Sequence, residues 1–170
     1  DPWPGFILSF NPCRPTSHGH VKLTSPDPLK QPEILFNYLA TEHDRADVIK
    51  GARLIGHVQN TPTMQALLSA PQKFDPSKES DESLIADFRK RSGSVYHPSC
   101  TCRMAPDSDP TAVVDDQLRV RGIEGLRVVD ASIMPTMPSA NLNASVLMIA
   151  EKAADMIRGR APLDPVILKD

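Results

Sequence analysis

Tyr96-His97-Pro98-Ser99-Cys100-Thr101-Cys102-Arg103-Met104 is the stretch from which the rest of the chain is best read. It is answered downstream by Asp130-Ala131-Ser132 and by Asn141-Leu142-Asn143-Ala144. A residue before proline is kept out of the helical region, so His97 is expected on stiff, extended backbone with its ring displayed. Imidazole is the side chain whose free pKa lies nearest neutrality, which makes it the default proton acceptor of an active site. The asparagine pair stands at the mouth of a long amphipathic pattern. A helix mouth carries unsatisfied N–H groups and partial positive charge, suited to an anion or to a group that becomes one. An ionisable ring and an anion-stabilising helix end make a candidate catalytic pair, provided the fold brings them together.

Each residue also has an ordinary reading. His97 can be a half-buried histidine hydrogen-bonded to backbone. Asn141 or Asn143 is expected to be the N-cap of the helix that follows. Asp130, ending a strand, can simply close a turn. Cys100 and Cys102 invite a metal reading, but Cys-Thr-Cys is tighter than usual zinc spacing and no second ligand cluster completes a shell. No metal is expected, and the two thiols read as small apolar residues.

Outward from this region, Asn143 to Arg158 is the clearest helix, with Val146, Ile149, Ala150, Ala153 and Ile157 on one face and Gly159 as its stop. Gln117-Leu118-Arg119-Val120 and Leu126-Arg127-Val128-Val129 read as short strands around Gly122-Ile123-Glu124-Gly125, and Ser94-Val95-Tyr96 as a β run into His97. Before Gly93, the alternation Gly19-His20-Val21-Lys22-Leu23 and the run Pro32-Glu33-Ile34-Leu35-Phe36-Asn37-Tyr38-Leu39 predict neighbouring antiparallel strands, and Phe6-Ile7-Leu8-Ser9-Phe10, bounded by Pro4-Gly5, a further buried strand. Thr41 with Asp44 resembles a capping box opening a helix from Glu42 to Gln59. Thr61-Pro62 opens a shorter helix carrying Met64, Leu67 and Leu68. A surface loop from Pro71 to Ser80 leads into a third, striped by Leu84, Ile85 and Phe88 and ended at Gly93. The regular structure is expected to end at Pro162 and Pro165.

The chain has 170 residues, 40% hydrophobic and 24% charged, with a net charge of −2. That balance gives no reason to expect nucleic acid as a partner. Its 17 prolines are about twice the usual share, so much of the chain is extended or looping. No apolar run approaches the roughly 20 residues of a membrane helix, and no signal peptide is visible. Three cysteines make no disulfide framework and lean towards a reducing, cytoplasmic setting; a secreted parent is compatible with a numbering that starts at Asp1 without a methionine.

The motifs, taken together and in order, resemble the C-terminal part of a glucose–methanol–choline (GMC) oxidoreductase. Those carrying the resemblance are Val95 to Met104, Leu118 to Pro135, Asn141 to Ala144 and Ile149 to Asp155, with Ser17-His18-Gly19-His20-Val21-Lys22-Leu23 and the strand from Pro32 to Tyr38. It covers roughly Thr16 to Arg160 and is nearest to the choline oxidase/dehydrogenase branch. The fold it implies is α+β: residues 1–92 as part of an antiparallel substrate domain with covering helices, 93–162 as the active-site motif and the return into the FAD-binding domain, and 163–170 as a tail.

By that resemblance His97 is the active-site histidine facing a flavin, and Asn141 holds the second active-site position. Val95 and Tyr96 lie beside the ring. Asp130 and Ala131 meet the ribityl and pyrophosphate part of FAD. Asn141, Leu142, Asn143 and Ala144 form the turn and helix mouth below the pyrimidine edge. The family's chemistry is hydride transfer from an alcohol carbon to flavin N5, with His97 accepting the hydroxyl proton and oxygen or a quinone-like acceptor taking the electrons. Cys100 stands where glycine is common, and Ala105 replaces a glycine. The Gly-rich unit that binds the ADP half of FAD is absent, since no G-x-G-x-x-G occurs. The chain is therefore expected to need a missing N-terminal portion, and alone to bind FAD poorly and be inactive. A flavin-containing lyase of the same fold and a non-catalytic structural domain are the alternatives.

Overall fold

Thr41 opens the longest helix of the molecule, α1 (Glu42–Gln59), its hydroxyl accepting the backbone N–H of Asp44 at 3.2 Å. A computed structural model describes residues 5–70, 72–164, 166 and 167; Pro4, Pro71 and Pro165 and part of the 163–170 tail lie outside them. The chain divides into two compact units, residues 1–94 and 95–170.

In the first unit β1 (His20–Lys22) pairs antiparallel with β2 (Glu33–Leu35), Val21 opposite Ile34, as the alternation predicts. The link between them is a turn in which the Asp27 carboxylate accepts the N–H of Leu29 at 3.0 Å. Gly19 is required beside this pair, because a Cβ there would lie 1.8 Å from the Leu35 carbonyl oxygen. Helix α1 packs on α2 (Pro62–Gln65) and α3 (Asp81–Arg91), which open on Thr61 and Ser80 caps. Val48 and Leu84 are the fully buried side chains of this helical layer. The helices pack on one another and leave the sheet largely uncovered: Val21, Ile34 and Leu35 are each about half exposed, against the expectation of helices over one face.

Three expectations are corrected here. The segment 6–10 forms no strand: Phe10 lies 6.0 Å from the Phe88 ring and against Gly51, where a Cβ would fall 2.2 Å from its ring. Its apolar side chain fills a groove of the helical layer, so the segment is extended without pairing. Helix α2 is a single turn, and Leu67 beyond it is exposed. Helix α3 ends by turning extended at Ser92, so Gly93 is not needed as a left-handed stop.

The second unit is built on Val114, Leu118, Ile133, Met134, Leu142, Ile149 and Ala153. Its one long helix is α4 (Asn143–Ile157). Gly159 at φ +65° ends it with paired bonds, Gly159 N–H to Met156 at 3.2 Å and Arg160 N–H to Asp155 at 2.9 Å, a Schellman motif. The buried stripe runs through Ile149 and Ala153 with Val146 and Met156 beside it, whereas Ile157 and Ala150, expected on that face, are exposed. The runs 117–120 and 126–129 form a hairpin of single bridges rather than two regular strands. Leu118 at φ +62° breaks the extended backbone, and Asp115 takes the N–H groups of Gln117 and Arg119, each at 2.9 Å. Ser94-Val95-Tyr96 likewise forms no strand, since Tyr96 turns left-handed at φ +60°.

Candidate functional site

The segment 97–104 is laid against the turn 131–133 by alternate backbone bonds. Cys100 N–H donates to Ala131 at 3.3 Å, Cys102 N–H to Ser132 at 2.9 Å and Met104 N–H to Ile133 at 2.8 Å. The turn Ala131–Ile133 is a short 3-10 helix capped by Asp130, whose Oδ1 accepts the Ser132 N–H at 2.7 Å and the Ser132 hydroxyl at 2.5 Å. Cys100 and Ala131 both pack on the core that buries Leu142. The three motifs, far apart in sequence, therefore share one core.

His97 is half-buried, and its ring makes no hydrogen bond to another described residue. The backbone is left-handed at Tyr96, immediately before it, φ +60°, and at Cys100, three residues after it, φ +71°. Each such non-glycine residue costs on the order of 1–2 kcal/mol, so surrounding contacts must hold it. Val95 and Tyr96 are exposed, Tyr96 at 90%.

The helix mouth departs from expectation. Neither asparagine caps α4: the N-cap is Leu142 in helical geometry, and no side chain makes a capping bond. Leu142 is 5% exposed, and burying it sets the entry of the chain into the helix. Asn141, Asn143 and Ala144 stay exposed around it. The first N–H groups of α4 thus lack a side-chain acceptor, which leaves the positive end of the helix open. No hydrogen bond joins His97 to Asn141. Asp130 and Ala131 sit on the turn that anchors the His97 segment, Asp130 exposed and with its Oδ1 engaged by Ser132.

Cys100 and Cys102 are free thiols, half-buried, and Cys100 donates to the Ser99 hydroxyl at 3.3 Å. No cluster of three metal-ligating side chains exists among the described residues, and no helix among them is long and apolar enough to cross a membrane. A depression of about 610 Å³ opens beside Arg103, Asp107, Asp115 and Arg121, lined by none of the predicted site residues. Sequence reasoning missed Ser132 and the left-handed residues flanking His97. Cys100 in a place where glycine is common was the one signal of the latter.

The GMC oxidoreductase family model matches residues 15–150. The oxygen-dependent choline dehydrogenase of Photobacterium profundum is 43% identical over 161 residues, covering 95% of this chain and 28% of that protein. An FAD-dependent oxidoreductase from Chaetomium thermophilum superposes with a TM-score of 0.77 at 32% identity, over 86% of this chain and 25% of the other. Pyridoxine 4-oxidase from Mesorbium loti does so with a TM-score of 0.69 at 31% identity, over 88% and 29%. The chain spans under a third of the length of the curated relatives it matches.

Proposed function

The chain belongs to the GMC oxidoreductase family, and from that premise we propose that it is the C-terminal portion of an FAD-dependent alcohol oxidase or dehydrogenase. The observation that carries the reading is the shared core of unit 2. It ties the His97 segment to the 130–133 turn and to Leu142, while among the described residues the His97 ring has no hydrogen-bonding partner and the mouth of α4 no side-chain cap. A helix mouth with no side-chain acceptor fits a group that gains negative charge, and this is the feature by which the residues present suit a flavin. When bound, FAD supplies the acceptor for the hydride leaving the alcohol carbon.

Within that reading each residue has one task. His97 accepts or shares the alcohol hydroxyl proton. Asn141 donates a hydrogen bond to the same oxygen as it gains alkoxide character. The N-terminal amides of α4, from Asn143 and Ala144, stabilise negative charge that arrives beside them. Asp130 and Ala131 would hold the ribityl and pyrophosphate portion of FAD, and Val95 and Tyr96 would supply wall. The alcohol is selected, and the ADP half of FAD is bound, by the portion of the protein outside this chain.

The test is anaerobic mixing of a panel of alcohols, choline included, with the full-length protein that carries this chain. Bleaching of the visible flavin band in the wild type, lost or slowed roughly 100-fold or more in His97→Ala, supports the reading. Bleaching at the wild-type rate in His97→Ala refutes it, and a flavin that stays oxidised while the substrate is cleaved marks a lyase.

A further inference from the structure

Left-handed backbone at Tyr96, just before His97, and at Cys100, three residues after it, is not favoured by those residues themselves, so the course of the segment that carries the imidazole must be imposed from outside it. The first hydrogen bond after His97 that can impose it is made by Cys100, the left-handed residue, to the Ala131 carbonyl. The next bonds go to Ser132 and Ile133, so one three-residue turn accepts all of them. The turn's own backbone closes it through Ile133 N–H to Asp130 and Met134 N–H to Ala131, each at 3.3 Å, the same length as the Cys100 bond it accepts. Its short bonds come from Ser132, whose N–H and hydroxyl both donate to Asp130 Oδ1. Ile133 and Met134 are pinned in the core, at 3% and 5% exposure, while Ser132 is half-buried and its hydroxyl fills no core space.

We propose that Ser132 is a positioning residue for His97: with Asp130 it fixes the turn whose carbonyls hold the left-handed backbone at Cys100. It acts through that turn and not on the reacting atoms. This inference rests on the reading of His97 as the proton acceptor, and it adds a residue whose loss should move the imidazole while sparing the core.

The experiment uses the full-length protein with Ser132→Ala, Ser132→Thr and His97→Ala. Ser132→Ala should keep its flavin content and its melting temperature near wild type. Its kcat should fall roughly 10- to 100-fold with KM little changed, the scale on which misplacement of about an ångström acts. Ser132→Thr should restore most of that loss, because its hydroxyl can reach Asp130. Amide exchange at Cys100, Cys102 and Met104 should accelerate in Ser132→Ala and return in Ser132→Thr. Wild-type kcat and unchanged exchange in Ser132→Ala, beside an inactive His97→Ala, overturn the proposal and leave the reading of the site intact. An active His97→Ala overturns the reading itself and the proposal with it, since no catalytic imidazole is then left to position. If Ser132→Ala is not recovered folded, wild-type exchange decides: the Ser132 N–H opening far faster than those of Cys100, Cys102 and Met104 overturns the proposal, and their opening together supports it.

Discussion

The carboxylate of Asp44 accepts the backbone N–H of Thr16 at 2.7 Å, holding the strand-entry segment against the first turn of α1. The same side chain takes the Thr16 hydroxyl at 3.0 Å, the Ser17 N–H at 3.0 Å and the Ser17 hydroxyl. It occupies the third helical position, where a capping box would turn it back on Thr41. It is spent on a tertiary contact instead, and Ser17 faces the Thr41 N–H at 3.4 Å. Burial acts to raise the Asp44 pKa, but the hydrogen bonds from Ser17 and Thr16 outweigh it and hold the carboxyl well below the usual range.

A depressed folded-state pKa stabilises the fold fully above the unfolded value. That contribution is lost as pH falls through the folded one. Unfolding measured against pH should therefore show the Asp44 contribution intact above about pH 4 and fading only below it. Asp44→Ala should cost about 1–3 kcal/mol near neutral pH, since it leaves the part-buried donors of Thr16 and Ser17 without their acceptor. Asp44→Asn should cost less and flatten the acid limb. A variant as stable as wild type at pH 7 would show the cluster to be ornamental.

Gly51 and Phe10 make a second coupled pair. A Cβ at position 51 would lie 2.2 Å from the Phe10 ring, a contact only a displaced ring can relieve. Gly51→Ala gains helix propensity of about 1 kcal/mol but overpacks the groove, and the net should be a loss of about 1–2 kcal/mol. In a Phe10→Ala background the same change should become stabilising. Denaturant melts of the four proteins in this cycle measure the coupling, and additive effects would mean that Phe10 does not sit on α1 in solution.

How much of this was legible before any coordinates depended on what each residue obeys. Helix α1 was readable to both ends, because Thr41 and the spacing of Val48, Ala52 and Ile55 are local signals. The Gly159 stop of α4 was readable for the same reason. The start of α4 was not: asparagine preference for N-caps is weak beside the burial of Leu142, which only tertiary packing reveals. The runs 117–120 and 126–129 were legible as two extended stretches around Gly122 and Gly125, yet the left-handed Leu118 that reduces their pairing to single bridges has no composition signature. At the candidate site, residue types and the family resemblance singled out His97 and the Asp130 turn. The alternate bonds between them, and the role of Ser132, depend on register, which one sequence does not encode visibly.

The open mouth of α4 separates structural from chemical roles for the asparagines. Because neither caps the helix, Asn141→Ala and Asn143→Ala should each change the stability of the protein by less than about 0.5 kcal/mol, the range of ordinary surface substitutions. Loss of a true cap would cost about 1 kcal/mol. In the full-length protein Asn141→Ala should nevertheless slow flavin reduction by alcohol about 100-fold, the scale for removing one donor from a developing oxyanion. Equal small losses in stability and rate would return Asn141 to the status of a surface residue.

The sheet of the first unit sets the last expectation. Val21, Ile34 and Tyr38 are 51%, 56% and 67% exposed, and Leu23 is 87% exposed. Phe36 and Tyr38 stack on each other with centroids 5.2 Å apart. A two-stranded sheet with apolar side chains in water is marginal, so its amides should exchange quickly in the isolated 170-residue chain while those of α1 and α3 are protected. The isolated chain should bind a hydrophobic dye such as ANS and purify without flavin absorbance. In the full-length protein the β1 and β2 amides should become protected and dye binding should fall. Slow exchange of β1 and β2 in the isolated chain would show that the sheet is stable without further cover, and FAD retained by it in stoichiometric amount would show that these residues bind flavin unaided.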